Sequence, residues 1–155
     1  MTKLQKTALL AALGSVGLLG GAFAFEYIGG LAPCKMCIWQ RWPHGIAIVL
    51  GIAVFFYSSR LVALLGGLTI LTGAGIAFFH AGVEQKWWEG PSSCTGSGLP
   101  LGDSLLDMSA PVNVVMCDKI PWEMFGISMA GWNGIISVVL AVLWFRAYAS
   151  SSASQ

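Results

Sequence analysis

Residues 37–57 read CIWQRWPHGIAIVLGIAVFFY, and whether this stretch crosses a membrane decides the architecture of the chain. Its uncharged part, residues 43–57, covers only about 22 Å as a helix rising 1.5 Å per residue, short of a hydrocarbon core of about 30 Å. Extended back to Cys37, the helix reaches about 31 Å and spans, with Arg41 at or just inside one membrane face. Three other runs need no such extension. Residues 7–25, 61–79 and 126–145 carry no Asp, Glu, Lys, Arg or His, and each approaches the ~20 residues that a spanning helix requires. The composition agrees: the 155 residues are 56% hydrophobic and 10% charged, against roughly 45–50% and 25% in a soluble domain. A disordered chain is excluded by that hydrophobicity, and a soluble globule by the scarcity of charge. The net charge of +1 leaves no electrostatic footprint for nucleic acid. The expected fold is an all-α membrane protein: a four-transmembrane-helix bundle in one domain, residues 1–155, with loops at 26–36 and 80–125.

Charge sets the orientation. With four spans, Lys3, Lys6, Arg60 and Arg146 share one side with no acidic residue, and all seven carboxylates fall on the other. Basic residues near short loops mark the cytoplasm, so both termini face inward and both longer loops outward. Trp39, Trp42, Trp87, Trp88, Trp122 and Trp144 fall near span ends, as an interfacial aromatic belt does, with Trp132 deeper. Ala22-Phe23-Ala24 after the first apolar run matches a signal-peptide cleavage site, but the run exceeds the usual 7–15 residues, and an uncleaved span is the favoured reading. Gly14, Gly17, Gly20 and Gly21 in the first span, and Gly66, Gly67, Gly73 and Gly75 in the third, allow close helix packing. Residues 104–117 allow a short amphipathic surface helix that Pro111 would interrupt; a loop packed on the bundle's outer end competes equally. Residues 150–155 read as a short disordered tail.

The cysteines are Cys34, Cys37, Cys94 and Cys117, all in the outward loops or at their edge. Outside the cytoplasm is where disulfides persist, and four cysteines permit three pairings. Cys34-Lys35-Met36-Cys37 opens a helix. There the helix terminus and a nearby cation favour the thiolate, which is the attacking species. Arg41 lies one turn beyond Cys37, where both can share a face. So small a ring constrains the unfolded chain little, which favours a working disulfide over a staple. A four-cysteine zinc site competes, yet the second pair is not another C-x-x-C. A membrane scaffold with structural cysteines is the non-enzymatic alternative.

Electrons from a dithiol need an acceptor. There is no Gly-rich dinucleotide fingerprint, and only His44 and His80 are available to ligate a haem. By elimination, a diffusible quinone in the bilayer fits best, with the Arg41 guanidinium placed to bind its oxygen; no resident metal is expected.

These residues resemble the DsbB family, bacterial inner-membrane proteins that re-oxidise the periplasmic thiol oxidant DsbA. The resemblance rests on Pro33-Cys34-Lys35-Met36-Cys37-Ile38-Trp39-Gln40-Arg41, on His80 followed by Gly90-Pro91-Ser92-Ser93-Cys94, and on Cys117 with Trp122 before the last span. Vitamin K epoxide reductase is related in mechanism, but its C-x-x-C usually lies at a later span. The resemblance implies a Cys94–Cys117 disulfide attacked by a reduced DsbA-like, thioredoxin-like partner, with Cys94 in a small, polar, flexible loop taking the mixed disulfide. It further implies exchange of Cys117 with Cys34, a Cys37 thiolate facing ubiquinone or menaquinone, Arg41 assisting there, and His80 as a helper.

Overall fold

The computed structural model describes residues 1–92, 94 and 115–150. Four helices dominate them: α1 (Lys3–Tyr27), α2 (Lys35–Tyr57), α3 (Arg60–Glu84) and α4 (Met129–Ser150), with strands β1 (Glu123–Met124) and β2 (Ile127–Ser128) before the last. Three of them, α1, α3 and α4, are long and apolar enough to cross a membrane. α2, which carries Arg41 and Pro43 in its first half, packs alongside them.

α1 starts where the sequence supplies a cap. Thr2 accepts from the Gln5 backbone at 3.1 Å while the Gln5 side chain accepts from the Thr2 backbone at 2.8 Å, a reciprocal capping box. The other end of the Gln5 amide donates to the Phe55 carbonyl at 2.8 Å, pinning the start of α1 to the end of α2. Ser58, in the left-handed region at φ 46°, ends α2, and α3 starts two residues later. The helices therefore run up, down, up and down. α1 packs on α2 and α4, and α3 on α2 and α4, leaving α1 and α3 diagonal.

Small residues set the helix separations. A Cβ on Gly66 would lie 2.6 Å from the Trp144 ring, and one on Gly73 would lie 2.9 Å from Pro43. Gly51 faces Ala12, and Gly14 faces Leu140. Close backbone approach of this kind is what membrane helices use in place of hydrophobic driving force. Gly17, Gly20, Gly21 and Gly75 do not serve it, since among the described residues nothing lies within 4 Å of their Cβ positions.

Trp144 departs from the expected aromatic belt. It is fully buried against Gly66, because the gap left by that glycine admits an indole into the bundle core. The fourth helix also starts later than residue 126. Phe125 and Gly126 have φ of 55° and 75° and form the two-residue loop of a hairpin in which Met124 pairs with Ile127. Positive φ at both loop positions is the primed turn that suits strand twist, and it forbids helix there. At its far end, α4 takes in Ser150. The amphipathic segment expected at 104–117 falls mostly, and the tail beyond Ser150 wholly, outside the described residues.

Candidate active site

The end of the bundle that holds the C-termini of α1 and α3 and the N-termini of α2 and α4 gathers all four cysteines. Cys34 caps α2 with extended backbone, and its sulfur accepts from the Cys37 backbone at 3.1 Å. Its Sγ lies 2.7 Å from Cys37 Sγ, both being free thiols. Cys94 and Cys117 form a disulfide with Cα atoms 5.2 Å apart, held further by Cys117 N–H donating to the Cys94 carbonyl at 2.8 Å. The two pairs share one apolar cluster with Met36 and Val83. Cys94, for which the resemblance implied a small, polar, flexible loop, is 3% exposed.

The helix N-terminus favours a Cys34 thiolate, but the neighbouring Cys37 sulfur and then burial outweigh it and push the Cys34 thiol well above its usual range. The reduced pair therefore retains a proton on Cys34.

His80, near the C-terminal end of α3, places Nε2 3.6 Å from Cys34 Sγ and 3.8 Å from the Glu84 carboxylate. Its tautomer follows from one anchor. The Met36 carbonyl can only accept, so the Gln40 nitrogen faces it at 3.2 Å. The same amide group donates to His80 Nδ1 at 2.8 Å. In the neutral ring Nε2 then carries the proton and donates toward the sulfur. Sγ of Cys34 and Cys37 and a ring nitrogen of His80 lie within 4.8 Å of one another, a spacing open to a metal ion. A metal-ligating histidine donates from its other nitrogen to a second-shell acceptor, and here Gln40 presents N–H groups instead. The tautomer argues for a donor to sulfur rather than a ligand.

Arg41 pairs with Glu26 at 2.5 Å and lies over the Phe23 ring, 4.9 Å from its centroid. Arg41, Cys37, His80, His44 and Asn133 all line a cavity of about 460 Å³, within the range of small-molecule sites. Its wall is otherwise largely apolar: Gly17 and Gly21 on α1 leave it open, and Phe25 and Trp122, their rings tilted against each other with centroids 5.2 Å apart, border it. An apolar cavity with a few convergent polar groups fits a flat, lipophilic ring bearing oxygens. It does not suit a bis-histidine haem, because Gln40 and Asn133, hydrogen-bonded to each other at 2.7 Å, lie between His80 and His44.

Cys34, Cys37, Arg41 and His80, singled out from sequence, thus adjoin one another, and Cys94 and Cys117 join them through the shared cluster. Sequence reasoning missed Glu26, Gln40, Glu84 and Asn133. Gln40, one residue before Arg41 in the quoted motif, carried the only local signal.

A membrane-embedded helical bundle that packs a bonded and a free cysteine pair together at one end defines the class of membrane disulfide oxidoreductases. Residues 5–147 match the family model described as "Disulfide bond formation protein DsbB". The chain belongs to this family, and it is a multi-pass, disulfide-forming membrane oxidoreductase. It is 34% identical over 141 residues to Disulfide bond formation protein B of Methylococcus capsulatus, covering 80% of this chain and 81% of that one. With the protein of the same name from Shewanella loihica it shares 34% over 140 residues, 84% and 80% of the two chains. The corresponding protein of Xylella fastidiosa is 33% identical over 141 residues, 82% and 79% of the two. No solved structure matches.

Proposed function

We propose that the chain is a single four-span domain of the bacterial inner membrane, with both termini cytoplasmic and the cysteine end periplasmic. In this reading it takes two electrons from a periplasmic, DsbA-like dithiol protein and delivers them to ubiquinone or menaquinone. One observation carries it: both cysteine pairs share a buried cluster beside a lipophilic cavity that Cys37 and Arg41 line. The non-enzymatic scaffold is not favoured.

A partner thiolate attacks Cys94, breaking the Cys94–Cys117 bond and releasing the Cys117 thiolate. Once Cys34 and Cys37 are themselves bonded, Cys117 attacks Cys34 and Cys37 leaves as the thiolate. Resolution of the mixed disulfide by the partner's second thiol, and of Cys34–Cys117 by re-formation of the original bond, leaves Cys34 and Cys37 reduced. A bound quinone supplies an acceptor for two electrons and two protons, so one dithiol is oxidised per hydroquinone formed. Retention of the proton on Cys34 leaves Cys37, on the cavity wall, as the electron-donating sulfur. The Arg41 guanidinium, which only donates, would hold an acceptor oxygen, and His80 would steady the charge on Cys34 during exchange.

The test is turnover of purified protein with a reduced thioredoxin-like donor and a short-chain quinone. Cys34→Ser and Cys37→Ser are expected to abolish it, and full activity in either would contradict the reading. Impermeant thiol reagents on intact cells should reach the cysteines from the periplasmic face; labelling only after permeabilisation would overturn the orientation.

A further inference from the structure

Hydroquinone carries two protons, and the reduced cysteine pair brings one, on Cys34, because Cys37 leaves as a thiolate. One buried titratable group at this end has no part in the mechanism so far. Glu84, the last residue of α3, is 6% exposed and lines the cavity. Its Oε1 lies 3.8 Å from His80 Nε2, which in turn lies 3.6 Å from Cys34 Sγ, so carboxyl and thiol flank one N–H. That N–H belongs to an uncharged ring, since a second proton on Nδ1 would face the Gln40 N–H group at 2.8 Å. The Ser128 hydroxyl accepts from the Gly131 N–H at 3.1 Å and donates to the Glu84 carboxyl. Oε2 has no hydrogen-bond partner among the described residues, and no lysine or arginine among them pairs with the group. Arg41 holds Glu26 and Lys86 holds Asp118. Lys35, Glu89, Lys119 and Glu123 are exposed, and the one charged residue of α4, Arg146, is at the opposite end. A buried carboxylate so placed is only partly compensated.

We infer that Glu84 holds the second proton: its carboxyl takes one up when the Cys34–Cys37 disulfide is reduced and releases it when the pair is re-oxidised. The inference rests on the reading of Cys34 and Cys37 as a working redox pair. With the disulfide closed, the His80 N–H is free to turn to the carboxylate, which then has two donors with Ser128. Reduction adds two electrons, and Cys34 keeps one proton. The thiolate left on Cys37 and the Glu84 carboxylate, whose charge acts on Cys37, then share an apolar pocket, and like charges in one site draw in a proton. The two helix ends decide where it settles. Cys37 lies in the first turn of α2, where the dipole favours an anion, and the Cys34 S–H faces it across 2.7 Å. Glu84 ends α3, where the dipole opposes one. Oxidation by a bound quinone then balances: Cys34–SH, Cys37–S⁻ and Glu84–COOH give the disulfide, the carboxylate and hydroquinone, with two electrons and two protons transferred. The carboxyl need not touch the carrier, because the charge of the reduced pair is what draws its proton.

The test is a redox titration of the full chain in detergent, without quinone, in thiol–disulfide buffers of known potential at several pH values around neutrality. Alkylation and peptide mapping report the state of Cys34 and Cys37. Each proton taken up with the two electrons changes the equilibrium tenfold per pH unit, about 30 mV. The wild-type pair is expected to take up two, about 60 mV per pH unit, and Glu84→Gln, which keeps an acceptor for Ser128, one, about 30 mV. Redox-difference infrared spectra should show a carboxylic-acid C=O band on reduction, shifted by ¹³C-labelled glutamate and absent in the variant. A wild-type slope of one proton, equal slopes in the two proteins, or reduction without that band would overturn the inference; if the variant misfolds, the wild-type spectrum decides alone. A pair that stays in one state across all the buffers would instead remove the redox reading, and this inference with it.

Discussion

Gln40 reaches three partners from one amide: the Met36 carbonyl, His80 on α3 and Asn133 on α4. Replacing it with Leu leaves His80 Nδ1 and the Asn133 amide unsatisfied in an apolar interior, at a cost of about 1–3 kcal/mol for each. Gln40→Leu should therefore lower the unfolding midpoint and also slow the Cys34 exchange step, because His80 would no longer be held as a donor to sulfur. Rapid-quench trapping of the Cys34–Cys117 species would measure that step, and an unchanged rate in the folded variant would contradict the tautomer assignment. Why sequence revealed Cys34, Cys37, Arg41 and His80 but not Gln40 or Asn133 follows from the same chemistry. Thiols and charges are rare and costly in an apolar chain, so their mere presence was informative. Amides carry no charge, and Asn133 is 93 residues from Gln40, so nothing local announced that the two would meet.

Among the secondary-structure elements, the glycines of α3 separate cleanly. Gly66→Ala would press a methyl into the Trp144 ring and is expected to cost about 1–3 kcal/mol, as overpacking does. Gly75→Ala, with nothing within 4 Å, should be neutral or slightly stabilising through helix propensity. Equal destabilisation of the two in denaturant titration would contradict this packing. On α1, Gly17→Leu extends a side chain into the cavity and should raise the KM for quinone with little change in exchange between the cysteine pairs. An unaltered KM would show that the cavity is not the acceptor site.

The segment bearing Cys117 is tied to the end of α3 by the ion pair and hydrogen bonds of Lys86 with Asp118. The Lys86 ammonium holds the Asp118 carboxyl below the usual carboxylate range. Its contribution is thus fully present above the unfolded value of 3.8 and fades as pH falls through the lower folded value. Because the pair is largely exposed, it is worth at most about 1 kcal/mol. Lys86→Ala should leave the Cys117 amide less protected from exchange at neutral pH and alter it little in strong acid; the reverse order would contradict the assignment. At this scale the long apolar runs were legible because spanning length and absence of charge are local properties. The hairpin was not: 124–128 reads Met-Phe-Gly-Ile-Ser, apolar enough to extend a helix, and only the positive φ of Phe125 and Gly126 reveals the turn.

For the whole molecule, the bundle sets two cysteine pairs beside a largely apolar cavity at one end. α2 provides the junction, bringing Cys37, Arg41 and His44 along one helix to the cavity wall. The charge asymmetry foreshadowed which ends lie together, and the alternating helices place Lys3, Lys6, Arg60 and Arg146 at the end opposite the cysteines. Sequence did not disclose how closely the two cysteine pairs approach, because that depends on the packing of Met36, Val83 and Val115 around them. The most direct test of the account is stopped-flow mixing of the purified, quinone-loaded protein with a reduced thioredoxin-like donor, following quinone absorbance against donor oxidation. The account predicts one hydroquinone for each donor disulfide formed, with the signal lost in Cys37→Ser. Donor oxidation with no matching loss of quinone absorbance, or a full signal without Cys37, would contradict it.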